Sequence, residues 1–371
     1  MKKGKFHVYL YKGGYIILMK QLLVIAAIVL TGIATVALTE QKGSLRKMYG
    51  KPTSLWPAPS IDPGLPWKEL EALPLPDSAS IAALNDPLVL LGKTLFFDPR
   101  LSASNQISCS SCHDPDLSWA DGRAVALGHD HLQGKRNTPS LLNIARMETF
   151  FWDGRARSLQ QQAINPISEP HEMAQDLTKL IPKIRAIKGY HQLFKNAYDS
   201  EEISMEGILD AIAAFEETIV SRPNRFDKFV RGEYNSLTDE EIEGLHLFRT
   251  KAQCMNCHYG PDFSDQQFHA LGFYDSTDHK EDPGRFAVTK KKEDLGRFRT
   301  PSLRDVMRTG PWMHDGRYNE MEDVINLFND GGAGNRIKKL NLTAAERKSL
   351  QAFLNAITAA PFKVQRPELP K

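Results

Sequence analysis

A chain of 371 residues, 41% hydrophobic and 25% charged, can bury two ordinary cores. Its formal net charge of +2 is close to balance, and the basic run Lys290-Lys291-Lys292 is followed at once by Glu293-Asp294, which reads as a solvated loop rather than a nucleic-acid stripe. All four cysteines fall in the two motifs described below, so none is left for a disulfide.

At the amino end, Leu22 to Leu38 is apolar and follows Lys20, the pattern of a signal peptide or a short membrane anchor. Its 17 residues sit at the lower edge for spanning a bilayer, and Thr35-Val36-Ala37 offers a small-residue cleavage site. Met19-Lys20 makes a more ordinary start for such a leader than Met1. Either way residues 1–40 send the body of the chain to the periplasm, cleaved free or anchored to the cytoplasmic membrane. Residues 41–80 carry Pro52, Pro57, Pro59, Pro63, Pro66, Pro74 and Pro76 and read as an extended tether.

Beyond the tether the signals are helical. Asp86-Pro87 is a cap with proline at the first helical position, leading into Leu88, Leu91 and Leu95 on one face. Ser204 opens a helix with Ile208, Ile212, Phe215 and Ile219 at helical spacing. Thr238 with Glu241, and Thr343 with Glu346, fit capping boxes before apolar patterns. No strand pattern competes, and Ser221 to Leu237 reads as the join between two helical domains, 81–232 and 233–371.

Cys109-Ser110-Ser111-Cys112-His113 and Cys254-Met255-Asn256-Cys257-His258 are C-x-x-C-H units. Such a unit attaches a c-type haem: two thiols add to the haem vinyls, and the imidazole takes an axial position on iron. A redox dithiol or a four-cysteine zinc site would leave both histidines without a role. Each unit is followed by a Thr-Pro-Ser-Leu turn, at Thr138 and Thr300, and by Asp-Gly-Arg, at Asp153 and Asp315; the residue before the aspartate lies 14 positions past the threonine in both halves. One haem domain, duplicated, accounts for that order. The expected fold is mainly α, two tandem cytochrome c-like haem domains related by duplication.

From about Leu84 to Pro361 the chain resembles the bacterial di-haem cytochrome c peroxidases and the related MauG enzymes. The resemblance rests on both C-x-x-C-H units, Gly128-His129, Arg136-Asn137-Thr138-Pro139-Ser140, Phe151-Trp152-Asp153-Gly154-Arg155, Gln162, Glu172-Met173 and Thr309 to Gly316. It implies that the first haem is the peroxide site, that the second relays electrons to it, and that a calcium ion lies between the domains. Splitting peroxide needs a group that takes the proton from one oxygen and returns it to the departing one, which a carboxylate does well. By the match, Glu172 is that group, Gln162 is the distal amide and Trp152 stands between the haems. Asn137, Thr309 and Pro311 match the calcium ligands, hard oxygen donors as that ion requires. His129 matches a distal histidine that in many peroxidases blocks the first haem until the second is reduced; His131 lies close enough to confuse the assignment.

One departure stands out. The position where peroxidases place a Met and MauG a Tyr on the second iron falls on Phe328, and a phenyl ring cannot bind iron; the second haem is therefore expected to lack the usual Met ligand, with Met313, Met321 or a residue of the loop from His269 to Phe298 as the substitutes the sequence offers. The expected activity is reduction of hydrogen peroxide with electrons from a small c-type cytochrome or cupredoxin. The alternatives are MauG-like oxidation of a protein substrate and a di-haem electron carrier without catalysis. A homodimer is compatible with the sequence.

Overall fold

In the computed structural model, which describes residues 20, 22–25, 43–274 and 282–371, the long helices begin where the sequence places their caps. Eight helices of nine or more residues lie among the described residues: α1 (Pro87–Phe97), α2 (Leu159–Ser168), α3 (Leu177–Arg185), α4 (Lys188–Tyr198), α5 (Met205–Glu217), α6 (Asp239–Arg249), α7 (Met321–Asn329) and α8 (Ala344–Ala356). The Asp86 carboxylate accepts from Leu88 N at 2.8 Å, and the Ser204 hydroxyl accepts from Gly207 N at 3.1 Å. Thr238 and Glu241 form a reciprocal capping box, as do Thr343 and Glu346. Each box satisfies two orphan N–H groups. Strand structure among the described residues is one antiparallel pair, β1 (Phe268–His269) with β2 (Phe298–Arg299).

Two helix crossings organise the molecule. A Cβ on Gly92 of α1 would lie 1.7 Å from the Ala211 carbonyl oxygen of α5, and a Cβ on Gly244 of α6 would lie 1.9 Å from that of Ser349 in α8. Neither approach tolerates a side chain. One turn along, Phe96 meets Phe215 and Phe248 meets Phe353, each edge-on at 5.3 Å. Trp119 in the first half and Phe263 in the second close each trio. Aromatic pairs in this geometry add about 0.5–1.5 kcal/mol beyond the area they bury. Residue for residue, these are the same crossing built twice, as duplication requires.

The first core runs from Val89 to Ile219 and the second resumes at Phe226. That break precedes the expected division at 232/233, because Phe226 and Phe229 are fully buried in the second core. The Pro-rich stretch is not a free tether. Residues 43–49 are helical, and Leu45, Tyr49, Trp56 and Leu70 are buried in the second core. Its prolines extend the backbone, but the apolar side chains between them find a surface and dock. Arg249, wholly buried, pairs with Glu69, donates to Pro57 O at 2.9 Å, and lies over the rings of Tyr49 and Trp56. The strap also reaches the second C-x-x-C-H loop, where Asp62 N donates to Asn256 Oδ1 at 3.0 Å and Gly260 N to Lys68 O at 3.4 Å. The carboxy-terminal tail crosses the other way: Val364 packs on the first core, and Gly189 N donates to Lys371 O at 2.9 Å. Most of the expected leader lies outside the described residues; no helix within them is long and apolar enough to cross a membrane.

Candidate functional site

Cys109–Cys112 forms a single helical turn with His113 at its end. The His113 backbone N–H donates to Cys109 O at 2.9 Å, and its Nδ1 lies 3.1 Å from Trp119 O. In the second half, His258 N donates to Cys254 O at 2.8 Å, and its Nδ1 lies 2.8 Å from Phe263 O. A carbonyl can only accept, so Nδ1 carries the proton in both rings and Nε2 keeps its lone pair for a metal. Burial pushes the Cys109 thiol up, and pushes those of Cys112 and Cys254 up to about 12. Such thiols are unlike the activated thiolates of a redox dithiol. A shared four-sulfur zinc site does not form either. Among the described residues, the one cluster of His, Cys, Asp or Glu able to share an ion is Cys257, Asp265 and His269, with a single cysteine. Two unpaired thiols a turn apart beside an imidazole with one free nitrogen fit covalent haem, and they do so twice.

The turns after each motif match as well. Ser140 Oγ donates to Ser118 O at 2.6 Å and Ser302 Oγ to Asp262 O at 2.7 Å. By position, Trp152 corresponds to His314 and Asn137 to Arg299. These pairs meet across the domain seam: Asn137 N donates to His314 O and Arg299 N to Trp152 O, each at 2.8 Å. Trp152 Nε1 donates to Asn137 O at 2.9 Å, closing the junction. The indole is therefore held at the contact between domains. His314 is buried, stacked on Phe298 at 3.7 Å, and pushed down to about 4, chiefly by that burial. The Asn137 amide nitrogen donates to Arg123 O at 2.9 Å and Ala124 O at 3.3 Å, which leaves its oxygen for another donor or a cation. The backbone bond to His314 O sets Asn137 beside the loop carrying Thr309 and Pro311.

Glu172 lies in the turn after α2. Its backbone oxygen accepts from His129 N at 2.7 Å, and a Cβ on Gly128 would lie 2.6 Å from its Cα, so the glycine lets the two loops touch. Burial raises the Glu172 pKa; Arg155 opposes that shift and Glu169 adds to it. Its charge acts on both Cys109 and Cys112 of the first motif. On α2, Gln160 donates to Asp210 and Gln161 accepts from Arg157 N, while the Gln162 amide makes no hydrogen bond within the described residues. His129 is half-buried, and its Nδ1 is enclosed without a partner, whereas His131 is exposed. In the second half, α7 follows its Asp-Gly-Arg turn at the spacing of α2. Met321 aligns with Leu159, so Val324 and Phe328 take the places of Gln162 and Pro166. Met321 is buried in the second core, and Met313 sits on the turn at φ 76°.

Sequence reasoning missed three groups. Glu216 on α5 is buried, its Oε2 has no partner, and burial alone pushes its carboxyl up to about 8. His269 lies 2.7 Å from Asp265 and is pushed up to about 10 by that carboxylate first and the Cys257 sulfur second. Arg299 is buried without an acidic partner among the described residues. Exposed Glu, His and Arg are so common that only three-dimensional burial distinguishes these.

Residues 86–235 match the family model described as di-haem cytochrome c peroxidase. The chain is 38% identical over 288 residues to the methylamine utilization protein MauG of Methylorubrum extorquens, covering 76% of this chain and 81% of that protein. It is 34% identical over 298 residues to the cytochrome c551 peroxidase of Nitrosomonas europaea, covering 80% and 87%. The crystal structure of a MauG-like protein associated with microbial copper homeostasis superposes with a TM-score of 0.68 at 30% identity, covering 81% of this chain and 98% of that one. With two motifs that fit haem and relatives of this identity and coverage, the chain belongs to the di-haem cytochrome c peroxidase family.

Proposed function

We propose that this protein is an exported di-haem c-type peroxidase that reduces hydrogen peroxide to water, with Cys109, Cys112 and His113 holding the reactive haem and Cys254, Cys257 and His258 the relay haem. The observation that carries the assignment of roles is the inequality of the two halves: the first has Glu172, whose charge reaches both Cys109 and Cys112, and on α2 the amide of Gln162, unengaged among the described residues, where α7 of the second half has Val324. Bound haem supplies the iron at which peroxide is cleaved and the means of storing and passing single electrons. Glu172 takes the proton from one peroxide oxygen and returns it to the other. Its raised pKa, set by burial, suits it to both tasks. Gln162 orients peroxide by hydrogen bonding without adding charge. Trp152 carries electrons across the seam it occupies. His129, tied by its backbone to Glu172, is the group that closes or opens the first site. The Asn137 oxygen with the Thr309 and Pro311 carbonyls forms a calcium site that joins the domains.

A MauG-like role, oxidation of a side chain on another protein, is the second reading. Phe328 favours it, since it offers no thioether to a second haem, and loss of that ligand would lower the haem's potential. The test is steady peroxide-driven oxidation of a reduced small c-type cytochrome or cupredoxin by the holoprotein. Sustained turnover, lost in Glu172→Gln, supports the peroxidase. Poor turnover with a clear spectral response to peroxide supports the MauG-like reading. A ferric spectrum that peroxide leaves unchanged would return the protein to the class of electron carriers.

A further inference from the structure

Among the described residues Arg249, Arg299 and Arg304 are buried and Arg136 is largely so, and all but Arg299 have carboxylates. Arg249 is held by Glu69, Arg304 by Asp227 at 3.0 Å, and Arg136 by Asp153 at 2.7 Å and Asp282 at 2.6 Å. Arg299 is the exception. It is only 8% exposed and forms no ion pair with a described residue. Its Nε reaches Phe151 O at a long 3.4 Å, its Nη1 faces the Met147 sulfur at 3.3 Å, and its Nη2 makes no hydrogen bond within the described residues. Burial pulls its pKa down to about 10, with no acid opposing. A guanidinium removed from water without a counter-charge costs several kcal/mol, so a fold that keeps one buried has an anion to set against it.

The place of Arg299 limits what that anion is. Its backbone N–H is fixed on Trp152 O, its side chain reaches across the seam to Phe151 and Met147 of the first half, and the next residue, Thr300, accepts from Ser264 beside the second His258 lock. The position therefore lies between the two C-x-x-C-H sites. Asn137, its counterpart in the duplication, spends its side-chain nitrogen on two carbonyls and carries no charge. Haem brings two carboxylates of its own, and a planar guanidinium binds a carboxylate through two parallel hydrogen bonds.

We propose that Arg299 is the counter-ion of a haem carboxylate at the domain seam, fixing that haem beside Trp152 and raising its reduction potential by its positive charge. This rests on the reading that both motifs carry covalent haem, which a count of two haems per chain by pyridine haemochrome checks separately. The carboxylate belongs to the first or the second haem, and the measurement assigns it. Potentials of both haems are read by spectroelectrochemistry in the holoprotein, the Arg299→Gln variant and the Arg299→Lys variant. The expected result is a fall in the potential of one haem in Arg299→Gln, partial recovery in Arg299→Lys, and no change at the other haem. Removing the cation also lets that carboxylate titrate at higher pH, so the shifted potential gains a pH dependence the wild type lacks. Resonance Raman of the wild type gives a second readout should Arg299→Gln fold poorly. A carboxylate bending mode of one haem at the frequency of a strongly hydrogen-bonded group, moved in Arg299→Lys, supports the pairing. Two haems per chain with both potentials and both carboxylate modes unmoved in the variants would overturn it.

Discussion

The first haem domain and the second share a glycine helix crossing, a histidine locked on a carbonyl and a Thr-Pro-Ser turn, yet where α2 carries Gln162, α7 carries Val324, and where α2 carries Pro166, α7 carries Phe328. The shared parts include the carbonyl-locked histidines that fit a haem, and on the proposed reading the divergent parts decide what happens on its open side. A duplicated scaffold can thus be kept in packing while the side chains on matching helices diverge from polar to apolar. Glu216 makes the same point inside a helix. It follows Phe215 on α5, whereas Leu354 follows Phe353 on α8, so a buried acid stands in the first domain where the second has hydrocarbon.

The sharpest way to break this comparison is Glu172→Gln. Loss of the acid–base group should lower peroxide turnover about 10²–10⁴-fold while leaving the spectrum of the second haem intact. Equal disturbance of both haems would mean the two halves are not functionally distinct. Next in size is Glu69→Gln, which leaves Arg249 buried without its carboxylate. It should cost about 3–5 kcal/mol, and the loss should fall on the second domain, seen as earlier release of that haem's native spectrum in denaturant.

Glu216→Gln tests the asymmetry through pH. The folded carboxyl holds its proton more tightly than the unfolded one, so its contribution is full below the unfolded value of 4.5 and is lost as pH rises toward about 8. The variant should escape that decline and gain up to a few kcal/mol over wild type at pH 8, with no gain at pH 4. Denaturant midpoints at the two pH values measure it, and a pH-independent difference would count against the shift. The smallest effects come from Gly92→Ala and Gly244→Ala. Each should destabilise its own domain by about 1–3 kcal/mol, and similar losses would confirm that the two crossings are equivalent.

Much of this architecture was legible in the sequence because local chemistry wrote it. Asp86-Pro87, Ser204, Thr238 with Glu241 and Thr343 with Glu346 start helices by satisfying backbone donors, a requirement that holds whatever surrounds them. The repeated order of motif, turn and Asp-Gly-Arg revealed the duplication. What stayed hidden depends on partners far along the chain. The strap looked like a tether because seven prolines are visible locally, while the surface that receives Tyr49 and Trp56 is built about 200 residues later, around Arg249 and His246. Gln162 was singled out among three glutamines by the family resemblance alone, and the engagement of Gln160 and Gln161 adds a physical distinction. The loneliness of Arg299 is a property of its surroundings alone.

The crossed chain ends carry a consequence for how the molecule comes to be. The strap precedes the first domain in the chain but docks on the second, and the tail follows the second domain but packs on the first. Neither domain is therefore complete on its own contiguous residues, and slow, long-range closure is built into the topology. A cut at the join near residue 222 would not yield two independent haem proteins. Each fragment would retain the piece that seals the other, so the halves, mixed together, should reassemble more readily than either folds alone.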